Sequence, residues 1–189
     1  MKKLLFLSAV VLSQLTAISQ DAWKSDKAHS QLTFTITHMG IADVMGLFKN
    51  FDVTINSAKP DFSDAVVEMT AQVASINTGI DRRDGHLKTA DFFDTASFPT
   101  MNFKSKSLQS TGNGKFTVTG DLTLHGVTKP VTMNLWFRGT TTNPQSKKTS
   151  AGFQLTGTIK RSDFNVGPKF PAPMLSDEVA IKADGEFAK

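Results

Sequence analysis

Four histidines are the residues in this sequence best suited to binding a metal ion or moving a proton. They are His29, His38, His86 and His125, and no two of them have the i,i+4 or His-x-His spacing that places two imidazoles on one ion. The sequence contains no Cys, which excludes thiolate ligands and thiol catalysis. We therefore expect neither a metal site nor a cofactor.

A second chemical cluster is Arg82-Arg83-Asp84, followed by His86. At the rim of a binding site, Arg82 or Arg83 could pair with a phosphate or quinone oxygen, and His86 could add a hydrogen-bond donor. The alternative is structural, because Arg83 and Asp84 could also satisfy the carbonyls and amides of the turn at residues 77–79. The sequence leaves both interpretations open.

Catalysis is the less favoured interpretation of these side chains. No Gly-x-Ser-x-Gly segment is present, so a serine hydrolase is not indicated. No Gly-rich segment has the spacing of a Walker loop or a dinucleotide-binding loop. One enzymatic alternative remains, in which His86 and Asp84 act as acid and base on a bound substrate.

Residues 1–19 are predicted to be a signal peptide. A basic start and a short apolar run at residues 4–12 precede the small residues of a cleavage site. The run is too short to span a bilayer. We therefore expect a bacterial protein that is periplasmic or secreted, has no membrane anchor, and has residues 20–189 as its one mature domain.

The charge of the chain does not indicate a nucleic-acid partner. Its 21 basic and 17 acidic residues give a net charge of +4, and two of the lysines fall in the predicted signal peptide. The longest basic features are the pairs Arg82-Arg83 and Lys147-Lys148, both in predicted loops. Nucleic-acid binding normally needs a clustered basic face, which these pairs do not provide.

Strict alternation of apolar and polar residues dominates the chain after Gln20. Leu32, Phe34 and Ile36, for example, are separated by single threonines. The pattern recurs in about eight segments, each with one apolar and one polar face. It predicts an all-β domain of antiparallel strands.

Two segments break this alternation. Residues 81–95 carry apolar side chains at helical spacing and predict a short helix or helical turn. Residues 161–177 combine three Pro with Phe, Met and Leu, so they form an apolar loop that is neither a regular strand nor a regular helix. Such a loop is costly in water but can cover the mouth of a barrel. We therefore predict an eight-stranded antiparallel barrel in preference to a sandwich.

The inward faces of the strands are the first candidate for a binding site. A hollow barrel would use them to line a lumen, and a filled barrel would use them as a packed core; alternation alone does not separate the two. The residues predicted to line a lumen are Phe34, Ile36, Phe51, Val53, Met69, Val73, Phe103, Phe116, Leu122, Leu124, Met133, Leu135, Phe153 and Leu155.

Six short motifs follow one another in a recognisable order. They are Trp23-x-x-Asp26 with His29-Ser30, Ser75-Ile76-Asn77-Thr78-Gly79, residues 83–88 (Arg-Asp-Gly-His-Leu-Lys), Asp91-Phe92-Phe93-Asp94 with Phe98-Pro99-Thr100, residues 120–131 (Gly-Asp-Leu-Thr-Leu-His-Gly-Val-Thr-Lys-Pro-Val), and Arg161-Ser162-Asp163-Phe164. Together they resemble the YceI-like family of lipid-binding, polyisoprenoid-binding proteins, from Trp23 almost to Lys189. The segment 120–131 is the most specific of the six.

This resemblance implies a lipocalin-like barrel with a hydrophobic tunnel for an isoprenoid or fatty-acyl chain, and no established catalysis. The sequence departs from the residues usual in the family at three positions, Ser25, Asn77 and Asn165. The last of these lies in the Pro-rich loop.

We therefore predict an exported, non-enzymatic protein that holds a long-chain apolar lipid (a polyisoprenoid, an isoprenoid quinone or a fatty-acyl chain) for transport, storage or stress protection. A lipid ligand, at most transient membrane contact, and a monomer or homodimer are expected. The alternatives are an interaction module with a packed core and, less favoured, a lipid-acting hydrolase. The residues predicted to lie at the mouth or to contact a head group are His38, Arg82, Arg83, His86, Phe92, Phe93 and Phe170.

Overall fold

The alternating segments form long antiparallel strands throughout residues 20–189, the part of the chain that the computed structural model describes. The strands are β1 (Asp21–His38), β2 (Ala42–Phe48), β3 (Phe51–Ser57), β4 (Val66–Gln72), β5 (Ile76–Asn77), β6 (Thr100–Gly112), β7 (Lys115–Leu124), β8 (Val127–Thr142), β9 (Thr149–Lys160) and β10 (Leu175–Ala188). Helix α1 spans Asp81–Leu87, and 3₁₀ turns span Val73–Ser75 and Arg161–Phe164. No helix among the described residues is long and apolar enough to cross a membrane. The predicted signal peptide, residues 1–19, lies outside the described residues.

The strands close into a barrel because the last strand pairs with the first. β10 runs antiparallel to β1, with Ile181 opposite Phe34. β2 and β3 both pair with β1 and so form one bent strand of the barrel, and β4 and β5 form the next one in the same way. Eight strands therefore surround the interior, and the predicted eight-stranded antiparallel barrel is confirmed.

The turn between β7 and β8 shows how the sequence fixes the hairpins. His125 and Gly126 both have a left-handed backbone, with φ of 51° and 74°. Two-residue hairpin turns of type I′ require positive φ at both central positions. A Cβ atom at Gly126 would lie 2.5 Å from the ring of Phe98, so packing requires glycine there as well.

Aromatic side chains fill one end of the barrel. Phe62, on the loop between β3 and β4, turns inward and is only 2% exposed. Its ring packs on the rings of Trp23, Phe137 and Phe153, with centroid separations of 5.4, 4.7 and 4.9 Å. This aromatic cluster closes that end of the interior.

Helix α1 and two loops cover the opposite end. α1 ends at Leu87, so the helical part of the predicted segment 81–95 is shorter than its apolar spacing suggested. The amide and the hydroxyl of Thr89 both donate to the carbonyl of His86, at 3.1 and 2.8 Å, which ends the helix. Residues 88–99 continue as turns, and the Pro-rich loop, residues 165–174, lies beside them.

Candidate ligand-binding cavity

The barrel encloses a cavity of about 500 Å³ between the aromatic cluster and the covered end. Pockets that bind small molecules commonly have volumes of roughly 300–1,000 Å³. Twelve of the fourteen predicted lining residues border this cavity: Phe34, Ile36, Phe51, Val53, Met69, Phe103, Leu122, Leu124, Met133, Leu135, Phe153 and Leu155. Further apolar lining, which the sequence analysis did not single out, includes Leu32, Val44, Ile55, Val67, Val179, Ile181 and Ala183.

Side chains that point into the barrel and yet remain only half-buried show that its centre is hollow. Phe34, Met69 and Leu155 are examples. A close-packed core would bury such side chains completely, because protein interiors leave few voids larger than a water molecule. The packed-core interpretation is therefore wrong for the middle of this barrel, although it holds for the aromatic cluster at the closed end.

Three predicted site residues do not border the cavity. Val73 is buried in the 3₁₀ turn after β4, where its amide donates to the carbonyl of Pro99. Phe116 is buried near the turn between β6 and β7, so it points inward at a different depth along the barrel. Arg82 is exposed on α1, since consecutive helical residues point in different directions.

Stacked aromatic rings help to cover the mouth of the barrel, at the end opposite the aromatic cluster. The rings of Phe92 and Phe170 are nearly parallel, with centroids 4.7 Å apart, and they join the two covering loops. The His86 ring meets both edge-on, at 5.1 and 5.7 Å. Phe93 packs edge-on against Phe48 on the barrel wall. The predicted mouth residues other than Arg82, including His38, all border the cavity.

Arg83 and Asp84 hold the turn before α1 together. The Nε and Nη2 atoms of Arg83 donate to the hydroxyl and the carbonyl of Thr78, at 2.7 and 2.8 Å. The buried carboxylate of Asp84 accepts the Thr78 amide at 2.8 Å, the Thr78 hydroxyl at 2.5 Å and the Asn77 side-chain amide at 3.4 Å. Both residues therefore have structural contacts, and Arg83 also borders the cavity.

His86 pairs with Asp91, and Asp84 is not its partner. The Nε2 atom of His86 lies 3.0 Å from one carboxylate oxygen of Asp91, and the Nζ atom of Lys169 lies 2.6 Å from the other. Lys169 belongs to the Pro-rich loop, so Asp91 links the two covering loops. Hydrogen bonds from Lys169 and then His86 lower the pKa of the Asp91 carboxyl from its ordinary value of 3.8.

The cover should loosen in acid because it depends on ionised Asp91. Since the pKa of Asp91 is lowered in the folded protein, its contribution is complete above pH 3.8 and is lost as the pH falls through the lowered value. We expect the wild-type protein to release a bound apolar dye faster once the pH falls below the lowered pKa of Asp91. Asp91→Asn should release the dye faster at neutral pH and should show no further increase in the release rate in acid. Asp52→Asn, which removes an exposed ion pair with Lys27, should behave as wild type. An acid-induced increase in the release rate of Asp91→Asn as large as that of the wild type would contradict the role given to Asp91.

Arg161 begins one of the six motifs, but the sequence did not indicate that it belongs to the site. It is 7% exposed, and its guanidinium donates to five backbone carbonyls in residues 166–176. Nη1 reaches Val166 and Gly167, Nη2 reaches Phe170 and Leu175, and Nε reaches Ser176. The available signal was an arginine next to a Pro-rich segment whose carbonyls have no strand or helix to pair with.

No group of three or more His, Asp or Glu side chains within residues 20–189 is placed to hold a metal ion. The polar residues that border the cavity are His38, Thr78, Arg83, His86 and Arg161 around its covered end, and Ser30, Gln31, Thr33 and Asp184 on β1 and β10. The arrangement is an apolar chamber with a few hydrogen-bond donors near one end, which suits an elongated ligand with one polar terminus.

Known proteins share both the sequence pattern and the barrel. The sequence model of the YceI-like domain family matches residues 23–187 of this chain. UPF0312 proteins from Pseudomonas putida (strain W619) and Staphylococcus aureus (strain bovine RF122 / ET3-1) are each 37% identical to this chain; the alignments cover 94% and 86% of this chain and 93% and 95% of those proteins.

Several solved structures have the same barrel fold. BcnA of Burkholderia cenocepacia is 27% identical, with a TM-score of 0.75 over 87% of this chain and 99% of that one. A Campylobacter jejuni YceI protein is 32% identical, with a TM-score of 0.74 over 82% and 90%. A polyisoprenoid binding domain from Saccharophagus degradans is 16% identical and shares the fold, with a TM-score of 0.68 over 90% and 99%. The motifs, the barrel and these matches together show that the chain belongs to the YceI-like family.

Proposed function

We propose that this protein binds the long apolar chain of a lipid inside the barrel and holds the polar end of that lipid at the covered mouth. The observation that carries this proposal is the hollow chamber of about 500 Å³, with apolar strand faces around it and an aromatic cluster at its far end. Each methylene group that moves from water into such a chamber contributes about 0.8 kcal/mol. A long chain is therefore held mainly by the apolar surface it buries.

The polar end of the ligand would meet a small set of donors. The Nε and Nη2 atoms of Arg83 donate hydrogen bonds to Thr78, and its Nη1 atom makes no hydrogen bond to any described residue. Nη1 is thus available to a phosphate, carboxylate or quinone oxygen. His38 borders the same end of the cavity. With so few donors, selectivity should depend on chain length and shape more than on the head group.

A polyisoprenoid chain is our preferred ligand class. The fold is shared with the Saccharophagus domain described as polyisoprenoid-binding, and the branched methyl groups of such a chain suit a wall of Phe, Leu, Ile and Met side chains. A fatty-acyl chain fits the same chemistry and serves as the comparison ligand. The pattern of residues 1–19 supports a role outside the cytoplasm, in the periplasm or as a secreted protein.

The described contacts favour binding over catalysis. The acid–base pair considered from the sequence, His86 with Asp84, is not assembled, because the Asp84 carboxylate is occupied by Thr78 and Asn77 and His86 contacts Asp91. We therefore assign the protein a carrier, storage or protective role for its lipid. The alternative of an interaction module assumes a packed core, whereas the middle of this barrel is hollow.

A series of prenyl and acyl ligands of increasing length tests this proposal. We expect the dissociation constant to fall about fourfold for each added methylene until the chamber is full, and then to level off. Exchanging the phosphate of one prenyl chain for a hydroxyl should change the affinity less than removing one isoprene unit. Isothermal titration or fluorescence displacement would measure both. Affinity independent of chain length, or set by the head group alone, would contradict the proposal.

A further inference from the structure

We infer that the rim around the mouth of the barrel docks onto the surface of a lipid bilayer, so that a lipid chain passes between membrane and cavity without crossing water. This inference rests on the proposed function, because it concerns how the ligand enters and leaves. The surface in question, here called the rim, consists of Met39, Ile41, Met45, Ile80 and Met174.

Exposed apolar side chains are concentrated on the rim. Ile41 is 88% exposed, Met45 is 65% exposed, and Met39, Ile80 and Met174 are 44–52% exposed. Among the described residues, the other large apolar side chain with comparable exposure is Trp136, which lies on the outer wall between Lys115 and Arg138. Single exposed apolar residues are ordinary on protein surfaces, but a cluster at one functional end marks an interaction site.

The hairpin turn at the rim carries residues that its local structure does not favour. Residues 39–41 connect β1 to β2, and the amide of Ile41 donates to the carbonyl of His38. Met39 and Gly40 are the two central residues of the turn that this hydrogen bond closes, with φ of 53° and 71°. A type I′ turn of this kind prefers Asn-Gly, and a left-handed backbone is unfavourable for Met. Apolar residues that break a local rule in this way are expected where they serve a function.

The rim is continuous with the wall of the cavity. Met174 belongs to both, and its carbonyl accepts a hydrogen bond of 3.0 Å from the amide of Met39. Val44 borders the cavity from the inner side of β2, one residue before Met45 on the outer side. Met174 therefore places the exposed turn at residues 39–41 directly beside the wall of the cavity.

A bilayer fits this surface better than a protein partner does. Three of the five rim side chains are Met, whose flexible thioether adapts to a disordered apolar phase. The charged residues beside the rim include Asp43, Asp81 and Arg82, of both signs, so they provide no directed pattern for a charged partner. Docking should therefore depend on apolar burial and depend little on anionic lipid or salt.

The double variant Met39→Asn, Ile41→Ser tests the inference without touching the cavity, since neither residue borders it. Met39→Asn gives the turn its preferred sequence, so the variant should fold at least as well as the wild type. We expect cosedimentation with neutral phosphatidylcholine vesicles, and the rate at which a fluorescent polyene fatty acid moves from those vesicles to the protein, to fall about tenfold. Trp136→Ser removes an exposed apolar side chain elsewhere and should match the wild type in both measurements.

Uptake of the same probe from dilute aqueous solution, without vesicles, separates the rim from the cavity. Equal uptake by the wild type and the double variant, together with the slower transfer from vesicles, would support membrane docking. A double variant that extracts the probe from vesicles at the wild-type rate would overturn it, as would a wild-type protein that takes up the probe but does not associate with vesicles; the latter result would point to a protein partner. A wild-type protein that docks on vesicles but takes up no probe by either route would overturn the proposed function and leave the docking surface standing.

Discussion

Ala183→Trp is expected to abolish lipid binding while the barrel remains folded. Ala183 lies on the inner face of β10, opposite Leu32 and Leu155, and all three border the cavity. An indole ring at this position would project into the chamber and occupy space that the lipid chain needs. Adding atoms to a packed core costs about 1–3 kcal/mol, but here the hollow interior can accept the ring without displacing its neighbours.

The matched control is Ala180→Trp, which places the same ring on the outer face of the same strand, where Ala180 is exposed opposite Thr35. Uptake of a polyprenyl phosphate by each variant would be followed by native mass spectrometry, and folding by circular dichroism and thermal unfolding. We expect no adduct for Ala183→Trp, a wild-type amount of adduct for Ala180→Trp, and melting temperatures near the wild-type value for both. Full lipid binding by a folded Ala183→Trp protein would exclude the chamber as the site.

Arg161→Met is expected to detach the Pro-rich loop and to lower the free energy of unfolding by about 3 kcal/mol or more. The guanidinium of Arg161 is the shared donor for carbonyls of Val166, Gly167 and Phe170 in that loop and of Leu175 and Ser176 at the start of β10. Methionine keeps much of the apolar stem but supplies no donor, so these carbonyls must find water. The loop should then open, and the stacking of Phe92 on Phe170 should be lost with it.

Hydrogen exchange resolved by segment would measure this opening, and denaturant unfolding would measure the stability. We expect faster exchange in residues 165–175 and faster release of bound lipid, with little change in β6 and β7. Arg161→Lys should recover only a small part of the loss, because one ammonium group does not reach carbonyls on several sides. Arg138→Met serves as the control, since it removes an exposed arginine that pairs with Asp184 at the surface. Unchanged exchange in the Arg161→Met loop would contradict the role assigned to Arg161.

The strands could be predicted from the sequence because each has one face toward the interior and one toward water. The two environments produce a period-two pattern of apolar and polar residues. In β7, for example, Phe116, Val118, Leu122 and Leu124 are buried. The pattern reports the face of a residue but not its depth along the barrel. The alternation therefore predicts Phe116 and Val73 as lining, although Phe116 lies near the closed end and Val73 follows the end of β4.

The hollow centre could not be predicted from the alternation, because a packed core and a lumen are lined by the same residue types. The difference depends on the spacing of opposite walls, which results from closure of the barrel by β1 and β10 and not from any local segment. The resemblance to a lipid-binding family supplied that expectation. The same limit applies to Arg161, whose five acceptors become neighbours only when the Pro-rich loop folds back over the mouth.

Ser25, Asn77 and Asn165, the three positions that the family resemblance marks as departures, each have a definite structural role. The hydroxyl of Ser25 accepts the amide of Val53 at 3.0 Å, where the pairing of β1 becomes irregular. The side chain of Asn77 donates to Asp84. Asn165 has a left-handed backbone, with φ of 55°, at the start of the Pro-rich loop, and asparagine tolerates this conformation better than most residues that carry a Cβ atom.

Native mass spectrometry of the protein purified from its own host would show directly whether the chamber holds a lipid. We expect a mass above that of the polypeptide by one lipid molecule, which fragmentation would identify as a prenyl or acyl compound. A bare polypeptide that also takes up neither added polyprenyl phosphate nor added fatty acid would exclude the chamber as a lipid site.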